Sequence, residues 1–410
     1  MNNSSVRKSV SFGISRNVFV LGLVSFFNDV ASEMIYPIVP IFLTGVLGAP
    51  VYIVGLVEGI AEATASILKV VSGWISDKLR KRKPLVLAGY SFSAISKILL
   101  GLAYTWQVVL LSRFIDRFGK GTRTSARDAL IAENSETSSR AKAFGFHRAL
   151  DTAGAVAGPL LSLLAIKFLN DNLRTVFFLA FIPSFIGILL LIFFVSEKRN
   201  EKIQSVFPDG NTLNRRNQSW DPSFKIFLAI SAVFAIGNSS DAFLILRAKD
   251  LGLSVTSVVL AYVLFNFSYA IFSMPAGILA DKIGPRKVLL TGFMLFSLVY
   301  ILFGFAGSGI FIWILFPVYG LYMALTEGVG KAYISNLVPC GSLATAMGIY
   351  QTTVGLCTFF ASMIAEALWG FKGVAGAPFI FGGIMAALAG FLFWIIGKKN
   401  NFSDGKCPGS

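Results

Sequence analysis

Long apolar runs fill this chain, parted by short polar breaks. A helix needs about 20 apolar residues to cross the hydrocarbon core of a bilayer. Runs of that kind lie at 17–45, 51–76, 84–104, 107–131, 140–168 and 174–195, and again at 223–246, 254–280, 286–306, 309–334, 343–368 and 376–397. The pattern predicts twelve membrane spans, numbered here in chain order, and so an all-α membrane protein. Between spans 6 and 7 the stretch SEKRNEKIQSVFPDGNTLNRRNQSWDP, residues 196–222, is polar, charged and aperiodic. It reads as a linker. The expected organisation is a tail (1–16), a six-helix half (17–195), the linker (196–222), a second half (223–397) and a tail (398–410).

Lysine and arginine fall on one side of this threading. Arg7, Lys8 and Arg16 precede span 1, Lys78 to Lys83 follow span 2, and Lys198, Arg199, Lys202, Arg215 and Arg216 sit in the linker. Lys282, Arg286 and Lys287 follow span 8, and Lys398 and Lys399 end the last span. Loops on the other side, such as GAP at 48–50 and GSG at 307–309, carry almost no charge. Positive residues mark the cytoplasmic side, so both termini and the linker are expected there.

Composition narrows the class. The chain is 55% hydrophobic and only 14% charged, with mean hydropathy +0.71, whereas a soluble domain carries about 25% charged residues. The net charge of +15 sits beside apolar runs, which argues for membrane anchoring and against nucleic acid. Cys340, Cys357 and Cys407 lack metal-like spacing and His147 stands alone, so no metal site and no cofactor are expected. No phosphate-binding glycine loop or catalytic triad is visible, which disfavours ATP-driven transport, and no enzyme is expected. No removable signal peptide is expected before residue 17.

A repeat fixes the architecture. GWISDKLRKRK at 73–83 returns as GILADKIGPRK at 277–287, each closing the second span of its half. A repeat at equivalent places marks two parallel halves. The pattern resembles the loop signature of the major facilitator superfamily, with Arg80 where the signature has glycine and Gly284 keeping it. That resemblance implies the major facilitator fold: twelve helices in two six-helix halves around a central cavity. It also implies a conformational latch. Asp77 and Asp281 would pair with helix ends and with neighbouring bases, Lys78 and Arg82 in one copy and Lys282 and Arg286 in the other. Gly73 and Gly277 would permit close helix approach. GAVAGPLLS at 154–162 resembles the motif of antiporter branches of the same superfamily. Physically, Gly154 and Gly158 sit one turn apart and Pro159 kinks or stiffens span 5.

Ionisable groups inside spans are costly and mark pathways. Span 1 carries Asn28, Asp29, Ser32, Glu33 and Tyr36 on one broad face, and span 2 places Glu58, Glu62 and Lys69 in a stripe. In span 4, Arg113, Asp116, Arg117, Lys120, Arg123 and Arg127 share an arc of about 120°. Span 5 adds His147, Arg148 and Asp151. Asp29, Glu33, Glu58, Glu62 and Asp151, with Arg113 and Arg117, are the candidate proton-coupling residues. A carboxylate that is neutral when protonated and faces arginine when ionised couples proton movement to a conformational switch. Spans 1 and 4 line the cavity by the same resemblance, so Asp29 or Glu33 is expected to pair with Arg113 or Arg117. The second half is poorer in charge. Its candidates for the substrate cavity are Asn238, Asp241, Asn266, Tyr269, Glu327 and Gln351, joined by Asn28 and Tyr36 from the first half, with Lys331 a further intramembrane charge.

These readings converge on a proton-coupled secondary transporter that works by alternating access. The first expectation is export of a small organic amphiphile by proton antiport. The alternative is transport of an organic anion, siderophore-like or a metabolite, drawn by the basic face of span 4. A metal-ion transporter is disfavoured by the Cys and His count, and a non-transporting sensor by the short tails. The expected partners are a small-molecule substrate, protons and lipid, with no nucleic acid. The expected state is a monomer in a plasma membrane, the inner membrane if bacterial.

Overall fold

The computed structural model describes residues 9–10, 13–169, 172–197, 220–369 and 376–399. Most of the expected linker, and most of both expected tails, lie outside the described residues. A short antiparallel hairpin, β1 (Ser9–Val10) and β2 (Ile14–Ser15), leads into helices. The first group is α1 (Arg16–Ile35), α2 (Ile38–Ile41), α3 (Val51–Leu79), α4 (Lys83–Gly101), α5 (Trp106–Glu133), α6 (Arg140–Phe168) and α7 (Leu173–Phe194). The second is α8 (Pro222–Gly237), α9 (Ala242–Asp250), α10 (Val255–Ile283), α11 (Pro285–Phe305), α12 (Ile312–Leu337), α13 (Leu343–Trp369) and α14 (Ala377–Lys399). Ten helical stretches among the described residues are long and apolar enough to cross a membrane. The 28-residue α5 falls outside that set because it carries too many charges, most of which line the central cavity.

The packing repeats between the two groups. Helix α1 packs on α6 and α7, α3 on α5, and α4 on α5 and α7. Correspondingly, α8 packs on α13 and α14, α10 on α12, and α11 on α12 and α14. The groups meet most extensively where α6 packs on α10 and α3 on α13, while α12 also touches α5 and α6, and α13 touches α5. Both of the larger contacts rely on glycine. A Cβ on Gly73 or Gly348 would run into the carbonyl of Ala344 or Lys69, and one on Gly145 or Gly277 into that of Ser273 or Ala141. Within the first group, Gly154 and Gly158 let α6 lie on α1. A Cβ there would stand 2.5 Å from the Phe26 carbonyl and 2.7 Å from that of Val30.

Two expected spans are not continuous. Span 1 ends its first helix at Ile35, turns at Tyr36–Pro37, and resumes as α2 followed by a π-turn at Phe42–Val46. Pro37 has no N–H to continue the ladder. Span 7 breaks at the matching place, between Gly237 and Ala242. Interrupted helices survive at membrane depth only where the freed backbone faces a cavity or protein, and Tyr36 and Asp241 at these breaks both line the central cavity.

The core of the second group is aromatic. Phe234 stacks on Phe293 at 4.3 Å, Phe296 on Tyr300 at 4.0 Å, and Phe265, Tyr319 and Tyr322 continue the cluster. Thus a set of phenylalanines that composition alone assigns to lipid contact instead fills the bundle.

The two motif copies end differently. Helix α3 closes on Arg80 at φ 52°, in the left-handed region, whereas α10 closes on Gly284 at φ 97°. A side chain in that region costs roughly 1 kcal/mol. R80G is therefore expected to raise the thermal unfolding midpoint in detergent, and G284R to lower it, which scanning fluorimetry would read directly.

Candidate functional site

The repeated aspartates meet helix ends, each across the interface. Asp77, at the end of α3, accepts hydrogen bonds from the Ala344 and Thr345 N–H groups at 3.3 and 2.7 Å, and from the Thr345 hydroxyl at 2.5 Å. Asp281, at the end of α10, accepts from the N–H groups of Ala141 and Lys142 at 3.0 and 2.8 Å. These are first-turn donors of α13 and α6, which no intrahelical carbonyl can reach, and the helix dipole favours a carboxylate there. The Asp77 site is further braced. Arg82 lies 2.6 Å from Asp77, 2.9 Å from Glu133 and 2.9 Å from the Ser76 hydroxyl. Arg140 adds a third tie at this end, donating to the Ser335 carbonyl and Asn336 side chain at 2.9 and 2.8 Å.

Above this closed end lies a cavity of about 460 Å³. It widens away from the basic loops: Tyr36 and Tyr262 are 52% and 37% exposed, whereas Arg127 and Lys331 at its floor are below 10%. Eight basic and six acidic described side chains line it. Most come from α1 and α5. Across from them, Tyr262, Phe265, Tyr269, Met323, Tyr350 and Val354 supply an aromatic and apolar wall.

The floor is a buried charge network between the groups. Asp128, fully buried, accepts from Lys331 at 2.9 Å and Gln351 at 2.9 Å, and lies 3.1 Å from Arg127. Arg127 also donates to Ser25 at 3.1 Å, and Ser25 in turn contacts His147 at 2.8 Å and Tyr90 at 3.1 Å. Beside it, Arg148 pairs with Asp151 at 2.8 Å, donates to the Tyr269 hydroxyl, and reaches Glu327 at 4.0 Å.

Comparison with known proteins accords with this architecture. The family model of the Major Facilitator Superfamily matches residues 21–246 and 226–406. The chain belongs to the Major Facilitator Superfamily. An uncharacterized MFS-type transporter of Methanocaldococcus jannaschii is 39% identical over 93% of this chain and 95% of its own length. The quinolone resistance protein NorA of Staphylococcus aureus is 26% identical over a shorter stretch, 36% of this chain and 37% of that one. Among solved structures, the proton:xylose symporter XylE superposes with a TM-score of 0.73 at 17% identity, covering 93% and 95% of the two chains. The protein is thus an integral membrane transporter and not an enzyme.

Within the superfamily fold, the expected site residues separate. Asp29, Glu33, Arg113, Arg117 and Asp151 all line the cavity, as do Tyr36, Asp241, Asn266, Tyr269, Glu327 and Gln351. Asn28 and Asn238 do not. Asn28 is buried beside Asp29, and Asn238 donates to the Tyr322 hydroxyl at 3.3 Å inside the aromatic core. The Glu58 side chain lies outside the described residues. The expected pairing of span 1 with span 4 takes another form. Among the described ion pairs, Arg113 joins Asp116 at 3.8 Å and Arg117 joins Glu62 at 3.9 Å. Asp29 and Glu33 have no such partner at that range. Arg113 finds a carboxylate on its own helix, one turn away, and Arg117 reaches across to α3 instead of α1.

The bases expected to join the latch also diverge. Only Arg82 meets its aspartate. Lys78 is exposed and lies 4.9 Å from the Trp74 ring, and Lys282 is exposed as well. One residue beyond each aspartate, they point about 100° away. Arg286 donates instead to the carbonyls of Phe393 and Trp394 at 3.0 and 3.1 Å, at the end of α14.

Asp128 was missing from the sequence-derived set, although an aspartate deep in a span is a signal that could have found it. Removing one partner of a buried pair strands the other and costs about 3–5 kcal/mol. D128A and K331A are each expected to lower thermal stability sharply, while the D128L/K331M pair recovers only part of the D128A loss, because Arg127 still lacks Asp128. A double-mutant cycle in detergent measures the coupling.

Proposed function

We propose that this superfamily member is a proton-coupled secondary transporter of a small organic anion, with anion and proton moving in the same direction. The observation that carries the reading is the cavity lining, where eight bases outnumber six acids and face an aromatic wall. Such a surface fits an anionic group on an apolar body. Ionised Asp29 and Glu33 would oppose an anion, and their protonation would remove that opposition. Proton and anion therefore favour each other's binding. A loaded, nearly neutral cavity can close, whereas uncompensated charge makes closure costly.

Positive loops mark the cytoplasmic side, and on that basis the closed end faces the cytoplasm and the cavity opens outward. The membrane is then the plasma membrane, or the inner membrane in a bacterium. Asp77 and Asp281 act as the latch on the cytoplasmic side, because inward opening must strip carboxylates from the first turns of α13 and α6. The sequence reading of proton-antiport export of an amphiphile keeps two supports: the Gly154–Gly158–Pro159 motif and partial similarity to a quinolone resistance protein.

Proteoliposomes with an imposed pH gradient separate the two. A panel of aromatic and aliphatic carboxylates should accumulate in vesicles that are acidic outside. Accumulation only in vesicles acidic inside would favour antiport. D29N/E33Q should keep substrate exchange but lose pH-driven accumulation, with thermal stability near wild type. Loss of folding instead would make these acids structural.

The latch makes a separate expectation. D77A should reduce flux more than expression, and D281A less so, because Asp77 holds three donors and Arg82 while Asp281 holds two donors. Normal flux in D77A would remove the latch.

A further inference from the structure

We propose that Lys120 is the group that holds the transported anion, and that Asp29 and Glu33 compete with the anion for it. This deepens the organic-anion reading and rests on it. The cavity arginines are engaged elsewhere: Arg113 and Arg117 with Asp116 and Glu62, Arg127 with Asp128, and Arg148 with Asp151. Arg123 donates to Ser93 at 2.6 Å and lies over the Tyr90 ring at 4.6 Å. Lys331 is bound to Asp128. Two lining bases remain, Lys69 and Lys120, and neither ammonium has a hydrogen bond or ion pair within 4 Å among the described residues.

Lys120 is the better placed of the two. It lies on the basic face of α5 and lines the cavity together with Asp29 and Glu33, whereas Lys69 enters the cavity from α3. The charges around Lys120 are Asp29 and Glu33 from α1, Glu62 and Lys69 from α3, and Arg117 from its own helix, with Asp151 from α6 facing Asp29. A lysine suits an exchange of partners. Its ammonium is compact, carries three donors and swings on a flexible stem. When Asp29 and Glu33 are ionised, Lys120 balances them. When they are protonated, its charge is available to a carboxylate whose apolar body rests on Tyr262, Phe265 and Tyr269.

The test uses the full-length protein in liposomes with radiolabelled benzoate as probe. K120Q should raise the KM for benzoate about tenfold or more, the worth of one charge-assisted hydrogen bond, and K120R should restore most of it. D29N/E33Q should act with opposite sign, lowering KM, most strongly at high pH where the wild-type acids are ionised. K120Q should melt at the wild-type temperature at low pH, where Asp29 and Glu33 are protonated and leave no charge for Lys120 to balance. A lysine that only supports the fold would move stability and leave the KM response to D29N/E33Q unchanged. Wild-type protein that neither binds nor moves benzoate would refute the aromatic-anion reading itself. Wild-type transport with K120Q indistinguishable from it, or D29N/E33Q raising KM, would refute the role of Lys120 alone.

Discussion

Four backbone N–H groups, two at the start of α6 and two at the start of α13, have no partner within their own helices. Each pair is satisfied by an aspartate from the other half of the molecule. Because these donors cannot be left bare in a buried interface, the aspartates fix where the halves meet. The glycines one turn earlier, Gly73 and Gly277, let the backbones come close enough for the carboxylates to reach. Everything above depends on this closure. The cavity has a floor because the halves touch at one end.

The two halves share a packing plan and divide the chemistry. The first carries most of the charge, on α1, α3, α5 and α6, and spends much of it internally in pairs such as Arg113–Asp116 and Arg148–Asp151. The second packs phenylalanine and tyrosine rings against one another and presents part of that surface to the cavity. Asp128 sits where these two characters join, held by Lys331 and Gln351 from the second half and by Arg127 from the first. A buried charge with partners on both sides of a moving interface is costly to separate. Under the proposed latch it is a further tie that separating the halves would break. Breaks in spans 1 and 7 complete the site by turning Tyr36 and Asp241 toward the space between the halves.

The apolar runs were legible because hydrocarbon imposes a length and a composition on every helix that crosses it. The charged faces of α1 and α5 were legible for the same reason, since a charge in a span must turn inward, and most of the residues so marked do line the cavity. Partner choice was not. Whether Arg113 meets Asp29 or Asp116 depends on ångström-scale geometry that spacing along a helix leaves open. Arg82 and Arg286 hold equivalent places in the repeat, yet one reaches its aspartate and the other the end of α14.

The sequence by itself determined the membrane spans, the two-fold repeat, the superfamily and the list of charges that had to be compensated inside. The spans and the charges follow from local composition read against the bilayer as solvent, the repeat from the two copies of one motif, and the superfamily from the resemblance which that motif carries. Only the tertiary structure decided how those charges were compensated. It bound Asp77 and Asp281 to helices of the opposite half, placed Asp128 at the floor, drew Asn28 and Asn238 out of the cavity and left the Lys120 ammonium facing it with no hydrogen bond or ion pair within 4 Å among the described residues. The reason is that compensation is a property of pairs, and the partners lie tens to hundreds of residues apart, where no periodicity connects them.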